Sequence, residues 1–132
     1  MNRRPLFSLL IFLVLTLWAG CYRPTPEEQA GKAAKEYYDR LVAGDYEAFL
    51  RGRVGPDSFP IDYRQQLLQA CEQLVRRQEK VHGGITEVVL SNAKRDTLLH
   101  LTQAFLLLTF RDSTQEEIVV PMIEQDGRWL MK

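Results

Sequence analysis

Leu98-Leu99-His100-Leu101-Thr102-Gln103-Ala104-Phe105-Leu106-Leu107-Leu108-Thr109-Phe110 is the stretch on which the fold turns. Leucine, alanine and glutamine favour a helix by intrinsic propensity. The flanks argue otherwise, because apolar runs bounded by turn signals lie on both sides. Neither face of the stretch alternates cleanly: Leu99, Leu101, Phe105 and Leu107 make one apolar side, and Leu106, Leu108 and Phe110 another. A strand covered on both faces reads in that way. Fully extended, the thirteen residues would run about 43 Å at roughly 3.3 Å per residue, so the strand is expected to bend or bulge in its middle.

Working outward, Ile85–Ser91 reads as a strand before it, Thr114–Glu124 as a strand after it, and Arg128–Lys132 as a closing strand. Asp126-Gly127 between apolar runs is a tight hairpin signal, and Arg111–Thr114 supplies the hairpin before it. Pro121 cannot donate to a ladder, which places it at an edge or a bulge.

Upstream, the pattern is helical. Thr25 can cap, Pro26 suits the first helical position, and Glu28 stands where a capping box needs its carboxylate. Ala30, Ala34, Tyr37 and Leu41 then draw one apolar face, and Gly44 stops the helix. Asp45 can cap a second, short helix whose inner side is Tyr46, Phe49 and Leu50. A loop over Gly52–Pro60 turns at Gly55-Pro56-Asp57. A long helix follows over Ile61–Val81, with Tyr63, Leu67, Ala70 or Cys71, Leu74 and Gln78 as its stripe and Arg76, Arg77, Glu79 and Lys80 facing water. His82-Gly83-Gly84 ends it, with glycine at a left-handed cap.

The N-terminus carries an address. Arg3 and Arg4 precede an apolar run from Leu6 to Leu17, too short for a membrane span and ordered like an export signal. Leu17-Trp18-Ala19-Gly20-Cys21 closes it. Small residues before a cysteine resemble a bacterial lipobox, with one departure: Trp18 stands where that pattern has Leu, Val or Ile. The expectation is a lipoprotein signal over 1–20, a lipidated tether over 21–26 carrying acyl chains on Cys21, and one domain over 27–132. Tyr22 follows the cysteine, so the aspartate of an inner-membrane retention signal is missing, which tilts a Gram-negative protein toward the outer membrane.

Composition removes several function classes. Lys and Arg total 17, as do Asp and Glu; without residues 1–20, which hold two arginines and no acid, the net charge is −2. The cations are scattered, so no basic stripe exists to neutralise phosphates, and nucleic acid is not an expected partner. With Cys21 acylated, Cys71 has no partner in the chain, which excludes a disulfide framework and leaves it as a small apolar residue on a helix face; the sharper reading of Cys71 is an intermolecular disulfide or a reactive thiol.

Three helices followed by antiparallel strands make an α+β fold. In that order, Tyr37-Tyr38, Gly44-Asp45-Tyr46, Gly83-Gly84-Ile85 and Asp126-Gly127-Arg128-Trp129 resemble the nuclear transport factor two-like (cystatin-like) superfamily and, within it, small bacterial lipoproteins of a domain-of-unknown-function family. The resemblance covers about Glu27–Lys132. It implies a cone-like half-barrel, with three N-terminal helices packed on a curved antiparallel sheet of about four strands and leaving a pocket. Some members are enzymes on small apolar substrates, others bind ligands, and many dimerise through the open face of the sheet or dock on partners.

Residue chemistry chooses weakly among these roles. Glu27, Glu28, Asp45, Asp112 and Asp126 lie at helix starts or in turns, and Asp39 lies beside Arg40 on a solvated helix face. His100 is the one titratable group inside the long strand, and only it, paired with Tyr37, Tyr38 or Tyr63, would make a base and a hydrogen-bond donor. His82 is read as serving a helix terminus. No histidine or cysteine spacing matches a metal site, and no cofactor is expected. Tyr37, Tyr63, His100, Phe105 and Trp129 are the candidate pocket-lining residues. The sequence therefore reads as an envelope-facing, lipid-anchored module that binds a small molecule or an envelope protein, and that is a candidate homodimer. The alternative is a small isomerase or dehydratase acting on an apolar substrate in the cone.

Overall fold

The computed structural model describes residues 20–132; residues 1–19, and with them nearly all of the expected lipoprotein signal, lie outside the described residues. Residues 20–25 are irregular, and the first helix, α1, spans Pro26–Val42. The expected capping box forms. Thr25 accepts the Glu28 N–H through its hydroxyl, and the Glu28 carboxylate accepts the Thr25 N–H. Ala30, Gly31, Ala34 and Leu41 make the buried face. Gly31 is there for closeness: a Cβ on it would stand 2.7 Å from a Leu90 methyl carbon, inside van der Waals contact.

Asp45 caps α2 (Tyr46–Arg51) by accepting the Ala48 N–H at 3.1 Å, and Phe49 and Leu50 are its buried pair. A single 3₁₀ turn, Pro56–Ser58, occupies the following loop. The third helix, α3, spans Ile61–His82 and ends at Gly83, whose φ of 79° is the left-handed cap that glycine adopts without strain. The stripe of α3 is rotated from the expected one. Cys71 is buried and Leu67, Leu68 and Val75 pack on the core, while Tyr63 and Leu74 face solvent. Near-equal apolar residues on adjacent positions leave the facing angle of such a helix undetermined by periodicity alone.

Four strands follow in an antiparallel meander: β1 (Ile85–Asp96), β2 (Leu101–Phe110), β3 (Gln115–Gln125) and β4 (Arg128–Met131), in spatial order β1-β2-β3-β4. Two expectations are corrected here. The long stretch is a strand only from Leu101, because Leu98, Leu99 and His100 form the turn before it. The bending is not in β2 either: its register with β3 is unbroken, and the irregularities fall on β1, between Ile85 and Glu87 and between Leu90 and Asn92. Such bulges on an edge strand twist the sheet. Extension of β1 past Ser91 was hidden by the polar run Asn92–Asp96, whose residues sit on a sheet edge and need no apolar alternation.

Pro121 lies inside β3 yet behaves as an edge residue. Its carbonyl accepts the Lys132 N–H at 2.9 Å. The proline nitrogen points to the same side as that carbonyl, so the missing donor falls where β4 runs out.

Helices cover one face of the sheet. Val88, Ala104, Leu106, Leu108, Phe110, Val120 and Met122 point into a core shared with Ala30, Ala34, Leu41, Phe49, Leu50, Cys71 and Met131. The two-sided cover expected for β2 is absent among the described residues. Phe105 and Leu107 on the other face are screened only by neighbouring strand residues, and Val119 beside Phe105 is half exposed. The loop after α2 closes the cone, with the Met131 N–H donating to the Gly52 carbonyl and the Val54 N–H to that of Met131. Among the described residues no helix is long and apolar enough to cross a membrane.

Candidate functional site

A surface recess of about 410 Å³ opens at one end of the sheet, between the start of α1, the β1–β2 turn and the ends of β3 and β4. Its rim carries Arg95, His100 and Glu124, and Thr102, Met122 and Trp129 lie deeper. The turn that shapes it is built by Asp96, whose Oδ1 accepts the N–H groups of Leu98 and Leu99, each at 3.0 Å. His100 closes the turn at φ 53°. That left-handed backbone is uncommon for residues other than glycine, although histidine tolerates it better than most. Trp129 is fixed from two sides: its indole N–H donates to Gln29 Oε1 at 3.4 Å, and its carbonyl accepts the Tyr37 hydroxyl at 2.8 Å.

The five expected pocket residues therefore separate. His100 and Trp129 meet at this recess, though His100 sits on an exposed turn and not inside a strand. Tyr37 lines a second cleft. Phe105 stands on the outer face of the sheet, with the Lys94 ammonium 6.0 Å from its ring. Tyr63 lies at the start of α3, 46 % exposed, edge-on to Phe59. Among the described residues His100 makes no hydrogen bond with a tyrosine, so the base-and-donor pair is not assembled. Residues 98–100 are turn and not strand, and the Asp96 cap, an Asp two residues before the first leucine, is the sequence signal for it.

The second cleft, of about 650 Å³, went unread in the sequence. Glu36, Asp39 and Asp45 alternate there with Arg40, Arg51 and Arg128 around Tyr37. Most of these residues come from the helix–turn–helix segment 36–51, and Arg128 joins them from the start of β4, a pairing that local spacing does not announce. Asp39 is held by Lys35 at 2.7 Å and Asp45 by its capping role.

The opposite end of the sheet is tied down. His82 Nδ1 meets Asp112 Oδ2 at 2.7 Å, Thr114 donates its hydroxyl to Asp112 Oδ1 at 2.5 Å, and the His82 ring stacks on Phe110. These bonds, that of the Thr114 hydroxyl first, hold the Asp112 carboxyl down at about 2 from an ordinary 3.8. Thr114 Oγ1 and the carboxylate both approach the same ring nitrogen, at 3.3 and 2.7 Å. A relay needs them on opposite nitrogens. The cluster is a clasp.

Inside the cone, aliphatic side chains fill the space. Leu41, Leu50, Leu106 and Met122 are wholly enclosed, and Thr102 is the buried polar residue. Burial pushes the Tyr38 hydroxyl and the Cys71 thiol above their ordinary pKa values, so both stay protonated at neutral pH.

Comparison with protein-family models and with curated proteins yields no match. Among solved structures, a Campylobacter jejuni protein provisionally designated an NTF2-like transpeptidase matches with a TM-score of 0.62 and 13 % identity, over 76 % of this chain and 94 % of that one. The fold is NTF2-like. The NTF2-like cone here has one end clasped shut by His82 and Asp112 and one end left open at the recess.

Proposed function

We propose that this chain is a lipid-anchored protein of the bacterial envelope whose NTF2-like domain binds a small polar molecule at the open recess. One observation carries the choice of binding over catalysis: the charged groups stand at the mouth, while the interior is mainly aliphatic and its buried titratable groups, the Tyr38 hydroxyl and the Cys71 thiol, are held protonated. General acid–base catalysis needs a titratable side chain within hydrogen-bond reach of the reacting atom. Arg95, His100 and Glu124 at the rim, with the Trp129 indole behind them, suit a ligand carrying charge of both signs. The volume lies within the usual range for small-molecule sites. The resemblance of Leu17–Cys21 to a lipobox, small residues directly before a cysteine, supports the anchor.

Transpeptidation, for which the Campylobacter protein is named, calls for an activated nucleophile. Cys71 is buried and protonated, and the Thr114 hydroxyl is committed to Asp112. That activity is not carried over. The test is native mass spectrometry of protein purified from its own host. A retained small molecule that Arg95→Ala and Glu124→Ala release supports the reading. Turnover of that molecule, retention by both variants, or capture of an envelope protein with no small molecule overturns it.

A further inference from the structure

The β1–β2 turn presents two leucines to solvent at the end of the domain from which the tether leaves. Leu98 is 89 % exposed, the most of any large apolar side chain among the described residues, and Leu99 is 58 % exposed. They do not hang on a floppy loop. Asp96 accepts both of their backbone N–H groups, and His100 completes the turn in the left-handed conformation. A rigid turn spends order on holding apolar side chains outward, which is unfavourable in water unless something covers them.

The position of the tether says what covers them. Pro26, the first residue of α1, lines the same recess as Arg95, Asp96, Thr97 and His100. From Cys21 to Pro26 the chain can reach at most roughly 18 Å. Acyl chains on Cys21 therefore hold this end of the cone against the lipid surface. Tyr22, exposed beside the cysteine, is a side chain that sits well at headgroup level. Lys94 and Arg95 precede the leucines and Arg23 lies in the tether, while Glu124 and Asp126 share the same end. The balance of charge is mixed, so apolar insertion and not attraction to anionic lipid is the dominant contact.

We infer that Leu98 and Leu99 form a second, non-covalent membrane contact: the β1–β2 turn dips into the acyl boundary of the bilayer that holds Cys21, and so orients the recess toward the lipid surface. The inference rests on the lipid anchor proposed above. Two contacts on one rigid body fix an orientation that a single flexible leash leaves free, by the same effective-concentration logic that governs linked binding sites.

The test uses the full chain, processed in a bacterial host and carried into vesicles of phosphatidylethanolamine and phosphatidylglycerol. Leu98→Cys and, at the opposite end, Ser113→Cys are labelled with a polarity-sensitive dye; acylated Cys21 and buried Cys71 do not compete. Leu99→Cys repeats the tip measurement. Metabolic palmitate labelling and vesicle flotation report the anchor separately. The expected result is palmitate on all three variants, blue-shifted dye emission quenched by spin-labelled lipid at positions 98 and 99, and aqueous emission at 113. Palmitate with aqueous emission at 98 and 99 overturns tip insertion and leaves the anchor standing. Lipid-quenched emission at 113 as well as 98 overturns the orientation. Protein without palmitate overturns the anchor, and the tip inference falls with it.

Discussion

The two hairpins at opposite ends of β2 are built alike and treated differently. Each has an aspartate whose carboxylate accepts from the turn's backbone, Asp96 two N–H groups at one end and Asp112 that of Thr114 at the other, and each contains a left-handed residue that is not glycine, His100 or Ser113. At the Asp112 end the helix comes down to meet the turn. His82 bonds the carboxylate and stacks on Phe110, the Asp112 N–H donates to the His82 carbonyl, and the Arg111 N–H donates to that of Gly84. At the Asp96 end no helix terminus bonds to the turn among the described residues, and two leucines point outward. One turn is finished inside the domain; the other has apolar surface left to bury against something outside it.

The largest way to break this contrast is to show that the exposed leucines matter to the fold. Leu106, in the middle of β2 and 0 % exposed, should lose about 2–5 kcal/mol as Leu106→Ala in urea unfolding. Leu98→Ala should change stability by less than about 0.5 kcal/mol, as surface substitutions do. A loss at Leu98 comparable to that at Leu106 would mean the turn is packed, and would remove its spare apolar surface.

Acid tests the clasped end. Asp112 titrates at about 2 in the folded chain against an ordinary 3.8, so its bonds stabilise the fold fully above the upper value. That contribution disappears as pH falls from 3.8 toward 2. Urea midpoints of Asp112→Asn should therefore lie below those of the unaltered chain at neutral pH and converge on them near pH 2. Parallel curves would show that His82 and Thr114 do not hold the hairpin.

Much of this architecture was legible beforehand. Capping at Thr25 and Asp45, the Gly83 terminus and the Asp126-Gly127 hairpin are set by short-range chemistry, and each forms as read. What escaped depends on partners distant in sequence or on a choice between neighbours. Leu98 and Leu99 look like strand because they adjoin β2 and are apolar, and only Asp96 two residues earlier betrays the turn. The α3 face went to Leu68 and Val75 instead of Tyr63 and Leu74 because helices pack by shape, and periodicity tolerates a small rotation. The recess was half legible: Trp129 and His100 were named, but Arg95 and Glu124 reach it only through strand pairing. The charged cleft draws on residues 36–51 but is completed by Arg128, which only the tertiary fold brings there.

A smaller effect separates a turn that holds itself from one held by neighbours. Asp96→Ala deletes both acceptor contacts to Leu98 and Leu99 and should cost about 1 kcal/mol. In lipid-anchored protein it should also loosen the tip, read as a fall in the protection of the Leu98 and Leu99 amides from hydrogen exchange. Unchanged exchange would place the turn's rigidity elsewhere.

The smallest expected effect compares the two left-handed residues directly. A non-glycine residue in this backbone region is strained by roughly 1–2 kcal/mol, and glycine relieves that strain while adding about 0.4–1 kcal/mol of unfolded-state freedom. Ser113→Gly and His100→Gly should therefore each stabilise the fold by about 0.5 kcal/mol if backbone strain is the whole account. Thermal unfolding of the pair decides it. The Ser113 side chain makes no hydrogen bond in the clasp, only its backbone N–H donating to the Phe110 carbonyl, so its change calibrates the backbone contribution. If His100→Gly matches it, the imidazole contributes nothing to the empty fold, and its place on the rim has to be explained by what binds there. If His100→Gly instead destabilises, the ring is already spent on folding, and the two hairpins are more alike than the exposed leucines suggest.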